Sequence, residues 1–148
     1  MREILFRGKK ADNVEWVKCS ETYIRDGDGI WLSDENLNVV TVIPETVGQY
    51  TGLTDKNGVR IFEWDIVITK TKSCEFIGCI AYSTEYVRFV CVTSNNIPYP
   101  MDRQFKYEVI GNIHDNPELL ETAAKPAAKN IAQSTLAPAT ENFELMEG

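Results

Sequence analysis

Residues 76–93 read FIGCIAYSTEYVRFVCVT, two apolar runs interrupted only at Thr84 and Glu85. Both are rich in Val, Ile, Tyr and Phe, side chains that suit a pleated strand. The two-residue break predicts a β-hairpin with a short loop. Val87, Phe89 and Cys91 then share one face and Arg88 points to the other, which predicts a half-buried strand.

Similar runs recur outward from this pair. EILFRG (3–8), EWVKCS (15–20), TYIR (22–25), GIWLS (29–33), NVVTVI (38–43), DIVITKT (65–71) and YEVIGNI (107–113) all read as strands between Gly, Asp and Asn punctuation. RDGDGIW (25–31) supplies a tight turn, since Gly tolerates positive φ and Asp bonds its own backbone. In VGQYTGLTDKNGVRIFEWDIV (47–67), Gly48, Gly52 and DKNG (55–58) signal chain reversal, and Ile61 to Val67 leads into a buried strand. One helix is expected from Pro117 to Thr122 or slightly beyond. Asn116 can cap it, Pro117 fits its first position, and Leu119 and Leu120 must dock on other elements. Beyond Glu121 the composition turns to Ala, Pro, Ser and Thr, and residues 122–148 are expected to form a mobile tail. Within that tail ENFELMEG (141–148) sets Phe143, Leu145 and Met146 among glutamates, as a docking peptide would.

A chain of 148 residues makes one domain or two small ones. No segment approaches the roughly 18–20 apolar residues of a membrane helix, and MREILFRGKK lacks the apolar core of a secretory signal. A cytoplasmic protein without membrane association is expected. The formal charge of −7 repels phosphate backbones at long range and argues against generic nucleic-acid binding. Arg7, Lys9 and Lys10 cluster locally, as do Lys70 and Lys72.

Chemistry is sparse. Cys19, Cys74, Cys79 and Cys91 form no CxxC, and His114 is the sole histidine, so zinc ligation is not expected. Asp26 and Asp28 resemble the start of a calcium loop, but Ile30 and the lack of a closing glutamate break the pattern. Glu63 and Asp65 would share a strand face and could serve as an acid–base pair with His114. They read more simply as exposed acids at a strand's start. No catalytic residue, cofactor or metal is assigned.

REILFRGK near the start, EWV (15–17), IPETVGQYTGLTDKNGVRIFEWDIV (43–67) and EVIGNIHDNPELLE (108–121) together resemble the YopX family of phage and prophage proteins. The resemblance covers essentially residues 1–121. It implies a mainly β fold of small antiparallel subdomains, including an SH3-like barrel, with one short C-terminal helix. The expected division is a β subdomain at 1–44, the barrel with its closing helix at 45–121, and the tail. The family usually has glycine between Glu and Asp, as E-G-D-I-V, where this chain has Trp64; glycine there suggests a turn or bulge.

The resemblance implies no catalytic residues. It points to a phage accessory protein that binds a host or phage protein in the infected cell, with homo-oligomerisation also open. Tyr50, Phe62, Trp64, Tyr99 and Phe105 are the candidate partner contacts. The alternative is a nucleic-acid-binding small barrel, which requires Lys70, Lys72, Arg88, Arg103 and Lys106 to converge on one surface.

Overall fold

In the computed structural model, which describes residues 3–20, 22–25 and 29–120, the chain divides at Gly52–Leu53 into two units. The boundary expected at 44/45 falls instead on a 3-10 turn, Pro44–Thr46, that belongs to the first unit. The Thr46 hydroxyl anchors this turn there: it donates to the Ile43 carbonyl at 2.6 Å and accepts the Lys9 amide at 2.9 Å.

The first unit contains β1 (Phe6–Lys9), β2 (Trp16–Cys19), β3 (Thr22–Arg25), β4 (Gly29–Ser33), β5 (Val39–Val42) and the start of β6 (Gly48–Thr54), which crosses the division. β1 lies between β2 and β6, antiparallel to both. β3, β4 and β5 form an antiparallel meander. Alternation along β2, β4 and β5 delivers Val17, Cys19, Leu32 and Val42 to one core, with Phe6, Ile30, Val40 and Val47 packed around it. Gly8 faces this core, where an added Cβ would lie 3.3 Å from Val42 and from Val47.

β7 (Arg60–Phe62), β8 (Asp65–Lys70), β9 (Glu75–Ser83), β10 (Arg88–Thr93), β11 (Pro98–Pro100) and β12 (Lys106–Asn112) belong to the second unit. Five of them form an antiparallel sheet in the order β11–β10–β9–β8–β12. Among the described residues no ladder joins β11 to β12, so the sheet is open where a small barrel was expected.

Both faces of this sheet are covered. Ile66, Cys79, Ala81, Val90, Val92, Ile113 and Leu120 pack on one, and Ile61, Val67, Ile80, Cys91, Met101 and Tyr107 on the other. The expectation of a half-buried 86–93 strand is therefore corrected, because Val90, Cys91 and Val92 are all buried. A continuous apolar run is what a central strand covered on two sides requires. The hairpin loop is also longer than read, spanning 84–87. The Ser83 hydroxyl closes it by accepting the Tyr86 amide at 3.1 Å, and Val87, at φ 54°, lies outside the strand and exposed.

The chain end of the sheet is set by Asn112. Its carboxamide oxygen accepts the amides of His114 (3.0 Å) and Asp115 (2.9 Å), turning the chain toward a helical turn at 118–120. Leu120 is fully buried in the core and Leu119 packs beside it, as docking leucines should. Asn116 points its side chain back to the Asn112 amide at 3.3 Å instead of capping the turn. The expected helix end at Thr122 and the tail at 122–148 lie outside the described residues, as do Asp26 and Asp28. Among the described residues no helix is long and apolar enough to cross a membrane.

Candidate functional site

Two acids of the 47–67 segment, Asp55 and Asp65, serve the backbone. Asp55 is buried, and its carboxylate accepts the amides of Asn57 (2.8 Å), Val59 (2.9 Å) and Val109 (3.0 Å). Burial alone would raise its pKa, but these three donors outweigh it and hold the carboxyl below its ordinary value. Asp65 is buried too, accepting the Phe62 amide at 2.8 Å across the β7–β8 turn. Both carboxylates thus shape turns.

That β7–β8 turn is Glu63–Trp64, and Trp64 sits at φ 75°, the left-handed region that glycine occupies most easily. Its backbone is fixed on both sides: the amide donates to Ile80 at 2.8 Å, and the carbonyl accepts the Ile113 amide at 2.8 Å. The indole packs against the core and meets the His114 ring edge-on, with centroids 6.1 Å apart. Trp64 is a partly buried packing residue, and His114 is a neighbour that shields it.

Two further candidates are interior. Tyr50 retains 7% of its surface and Phe62 only 1%, so neither offers a face to a partner. Tyr99 and Phe105 behave differently. Tyr99 is exposed, Phe105 is partly buried, and both line one cleft of about 790 Å³ in the second unit.

Two loops build this cleft. Between β8 and β9, Thr71 organises residues 71–74: its amide donates to the Cys74 carbonyl (2.9 Å) and its hydroxyl accepts the Cys74 amide (3.1 Å). Between β11 and β12, Asp102 accepts the Gln104 amide (2.8 Å), and its own amide donates to the Tyr107 hydroxyl (3.0 Å). The remaining wall is aromatic, with Phe76 and Tyr99 in contact at 4.5 Å between centroids. Gly78 shares a strand face with Phe76 and Ile80, and a Cβ there would lie 2.5 Å from Cys91 Sγ. The bare backbone at Gly78 leaves room for the Cys91 side chain and the Val92 backbone of the neighbouring strand.

The rim of the cleft carries Lys70, Lys72 and Lys106. Lys70 and Lys106 stand directly opposite each other in the β8–β12 ladder, on the sheet face that Glu75 shares and opposite to the face of Phe76. Like charges at such a position are unfavourable by a few tenths of a kcal/mol up to about 1 kcal/mol. Glu75 pairs with Lys70 at 3.4 Å, but both side chains are more than half exposed, and a surface pair of this kind is worth little. The result is a concave, aromatic-walled site with surplus positive charge on an acidic chain.

Of the five cations named from sequence, the structure brings these three lysines together. Arg88 is spent elsewhere, donating to the Met101 carbonyl at 2.6 Å, and Arg103 is not part of the lining. Phe76 and the 71–74 loop were not singled out from sequence; the signal was the KTKSCEF run, whose alternation of lysines with small polar residues ahead of an aromatic marks a loop rim.

The sequence pattern of the family described as YopX protein matches residues 5–121. No curated protein matches the chain. Among solved structures, the crystal structure of protein EF1440 from Enterococcus faecalis is similar at 26% identity over 82% of this chain and 100% of that one, with a TM-score of 0.48. The family match runs from ahead of β1 to the helical turn, through every strand described above, and on that ground the chain belongs to the YopX family.

Proposed function

We propose that this YopX-family member is a phage-encoded accessory protein that works by binding, without catalysis, in the cytoplasm of an infected bacterial cell. Its contact surface is the cleft of the second unit, and its partner is a host or phage protein that presents an acidic segment bearing apolar side chains. One observation carries this reading: a single cleft is bordered by Lys70, Lys72 and Lys106 and walled by the Phe76–Tyr99 pair and Phe105. The lysines at the border favour an anionic group there. The aromatic wall supplies apolar area for a neighbouring side chain. The commitment of Asp55 and Asp65 to backbone amides supports a role apart from acid–base chemistry.

The test is capture from infected cells with the tagged full chain and with a folded Lys70→Gln/Lys72→Gln/Lys106→Gln variant. A partner identified by mass spectrometry with the wild type and lost with the variant is the expected result. Retention of the same partner by the variant overturns the assignment of the cleft.

Single-stranded nucleic acid is the second reading, favoured by the same convergence of lysines with aromatics on which bases could stack. The net charge of −7 and the engagement of Arg88 weigh against it. Salt-dependent retardation of an oligonucleotide at micromolar protein, lost in the triple variant, would establish this reading in place of the first.

A further inference from the structure

We infer that the second unit holds a separate anion site formed by Lys56, Lys70 and Lys106, and that it takes a phosphoryl dianion, either free phosphate or a phosphate monoester. Its location and its ligand are independent of the partner assigned to the aromatic cleft.

Strand register is the first argument. Lys70 and Ile68 of β8 stand opposite Lys106 and Glu108 of β12, and all four project from one sheet face. The 55–59 turn lies beside β12, where the Lys56 amide donates to the Tyr107 carbonyl at 2.9 Å. Asp55 fixes the same turn by accepting the Val109 amide at 3.0 Å. Lysines from three separate chain segments thus line a single recess of about 230 Å³, together with Ile68, Tyr107 and Glu108. Lys56 lines this recess and not the aromatic cleft, and Lys72 lines the cleft and not the recess.

Charge is the second. The carboxylates on this face are already allotted. Glu108 pairs with Lys56 at 3.2 Å, and Glu75, outside the recess, pairs with Lys70 at 3.4 Å in an exposed, weak contact. Lys106 has no ion pair among the described residues, and its cross-strand neighbour is a like charge. The lining of the recess therefore carries three ammonium groups and one carboxylate, a surplus of two positive charges. A phosphate monoester brings about −1.5 to −2 at neutral pH, on three acceptor oxygens.

Shape is the third. Lysine is a compact point charge with three donors, whereas a planar carboxylate is matched by the fork of arginine, and no arginine lines the recess. Half-buried Ile68 gives the lysines an apolar wall, which strengthens electrostatic contacts beside it. The recess is smaller than the roughly 300 Å³ at which pockets for small organic ligands begin. It suits one anionic group, with any attached chain left outside.

Amide chemical shifts of the full-length protein test the site, with inorganic phosphate, a phosphoserine peptide and the unphosphorylated parent peptide as probes. Both phosphate-bearing probes, or the peptide alone, should move residues 56, 68–70 and 106–108, and the tighter of the two identifies the source. A monoester takes up its second proton near pH 6, so the phosphopeptide should bind about tenfold more weakly at about pH 5 than at about pH 7.5. Lys56→Gln/Lys106→Gln should weaken binding by about tenfold or more, while Lys72→Gln leaves it unchanged. Equal binding of the parent peptide overturns the inference, as does the absence of shifts with either phosphate-bearing probe at millimolar concentration. Shifts confined to 72–76 and 99–105 also overturn it, by placing the anion in the aromatic cleft, and leave the reading of that cleft intact.

Discussion

The carboxylate of Asp55 accepts the amide of Val109 at 3.0 Å, joining positions 54 residues apart in the chain. The Lys56 amide donates to the Tyr107 carbonyl at 2.9 Å alongside it. The 55–59 turn is thereby bound to the outer side of β12, next to the irregularity between Val109 and Gly111.

Asp55→Ala removes one acceptor shared by three amides, two within the turn and one in β12. Leaving a buried donor unsatisfied costs about 1–3 kcal/mol, so the urea midpoint should fall by a corresponding amount. The same residue sets an acid dependence. Its folded pKa lies below the unfolded value, so its stabilisation is full above about pH 3.8. It is lost as pH falls through the folded pKa. Stability measured down through the acid range should show a shallower decline in Asp55→Asn than in the wild type; an unchanged slope would count against this account.

Trp64 combines a strained backbone with a useful ring, and two substitutions separate these effects. Ala at 64 discards the contact with His114 while keeping a side chain at φ 75°. Gly discards the same contact but relaxes the left-handed conformation, worth roughly 1–2 kcal/mol. Trp64→Gly should therefore be more stable than Trp64→Ala by about 1 kcal/mol in chemical denaturation, reversing the usual order of these residues in strands.

Lys106→Glu turns the repulsive pair with Lys70 into an attractive one across the same ladder position. The free protein should gain a few tenths of a kcal/mol up to about 1 kcal/mol. Binding of the acidic ligand should weaken at the same time. Thermal unfolding and a peptide titration on the same variant measure the two effects. A variant that loses both stability and binding would show that Lys106 is a packing residue.

Tyr107 is buried, which pushes its phenol up to about 12 despite the hydrogen bond from the Asp102 amide. Its neutral form is favoured by folding, so that contribution is intact below about pH 10 and disappears as pH rises toward 12. Tyrosinate absorbance should show a late phase from Tyr107 that coincides with alkaline unfolding. Tyr107→Phe should remove that phase.

The strands most visible in the sequence are those whose apolar runs are long. GIWLS matches β4 residue for residue, and DIVITKT and FIGCIAYS match β8 and β9 within one residue at an end. Three strands had no comparable signal. β6 carries Gly48 and Gly52, β7 has only three residues, and β11 reads Pro-Tyr-Pro. Their pairing comes from neighbours, not from propensity. The cleft was half legible for a related reason. Tyr99, Phe105, Lys70, Lys72 and Lys106 could each be named from sequence, but the ladder that sets Lys106 opposite Lys70 is a tertiary fact. Tyr50 and Phe62 looked equally available, and only folding shows that they are consumed by packing.

The two prolines of β11 settle how this protein can be approached. The Thr93 amide bonds the Ile97 carbonyl and the Met101 amide bonds the Phe89 carbonyl, so odd-numbered residues here turn inward to β10. Positions 98 and 100 consequently turn outward, and as prolines they have no N–H to offer an incoming strand. At the opposite margin, the Tyr107 carbonyl already accepts the Lys56 amide and the Val109 amide already donates to the Asp55 carboxylate. Each flank of the open sheet thus offers an incoming strand fewer backbone partners, which disfavours fibre-like growth and recognition by strand addition. Side chains, more than backbone edges, are what this unit offers to whatever approaches it.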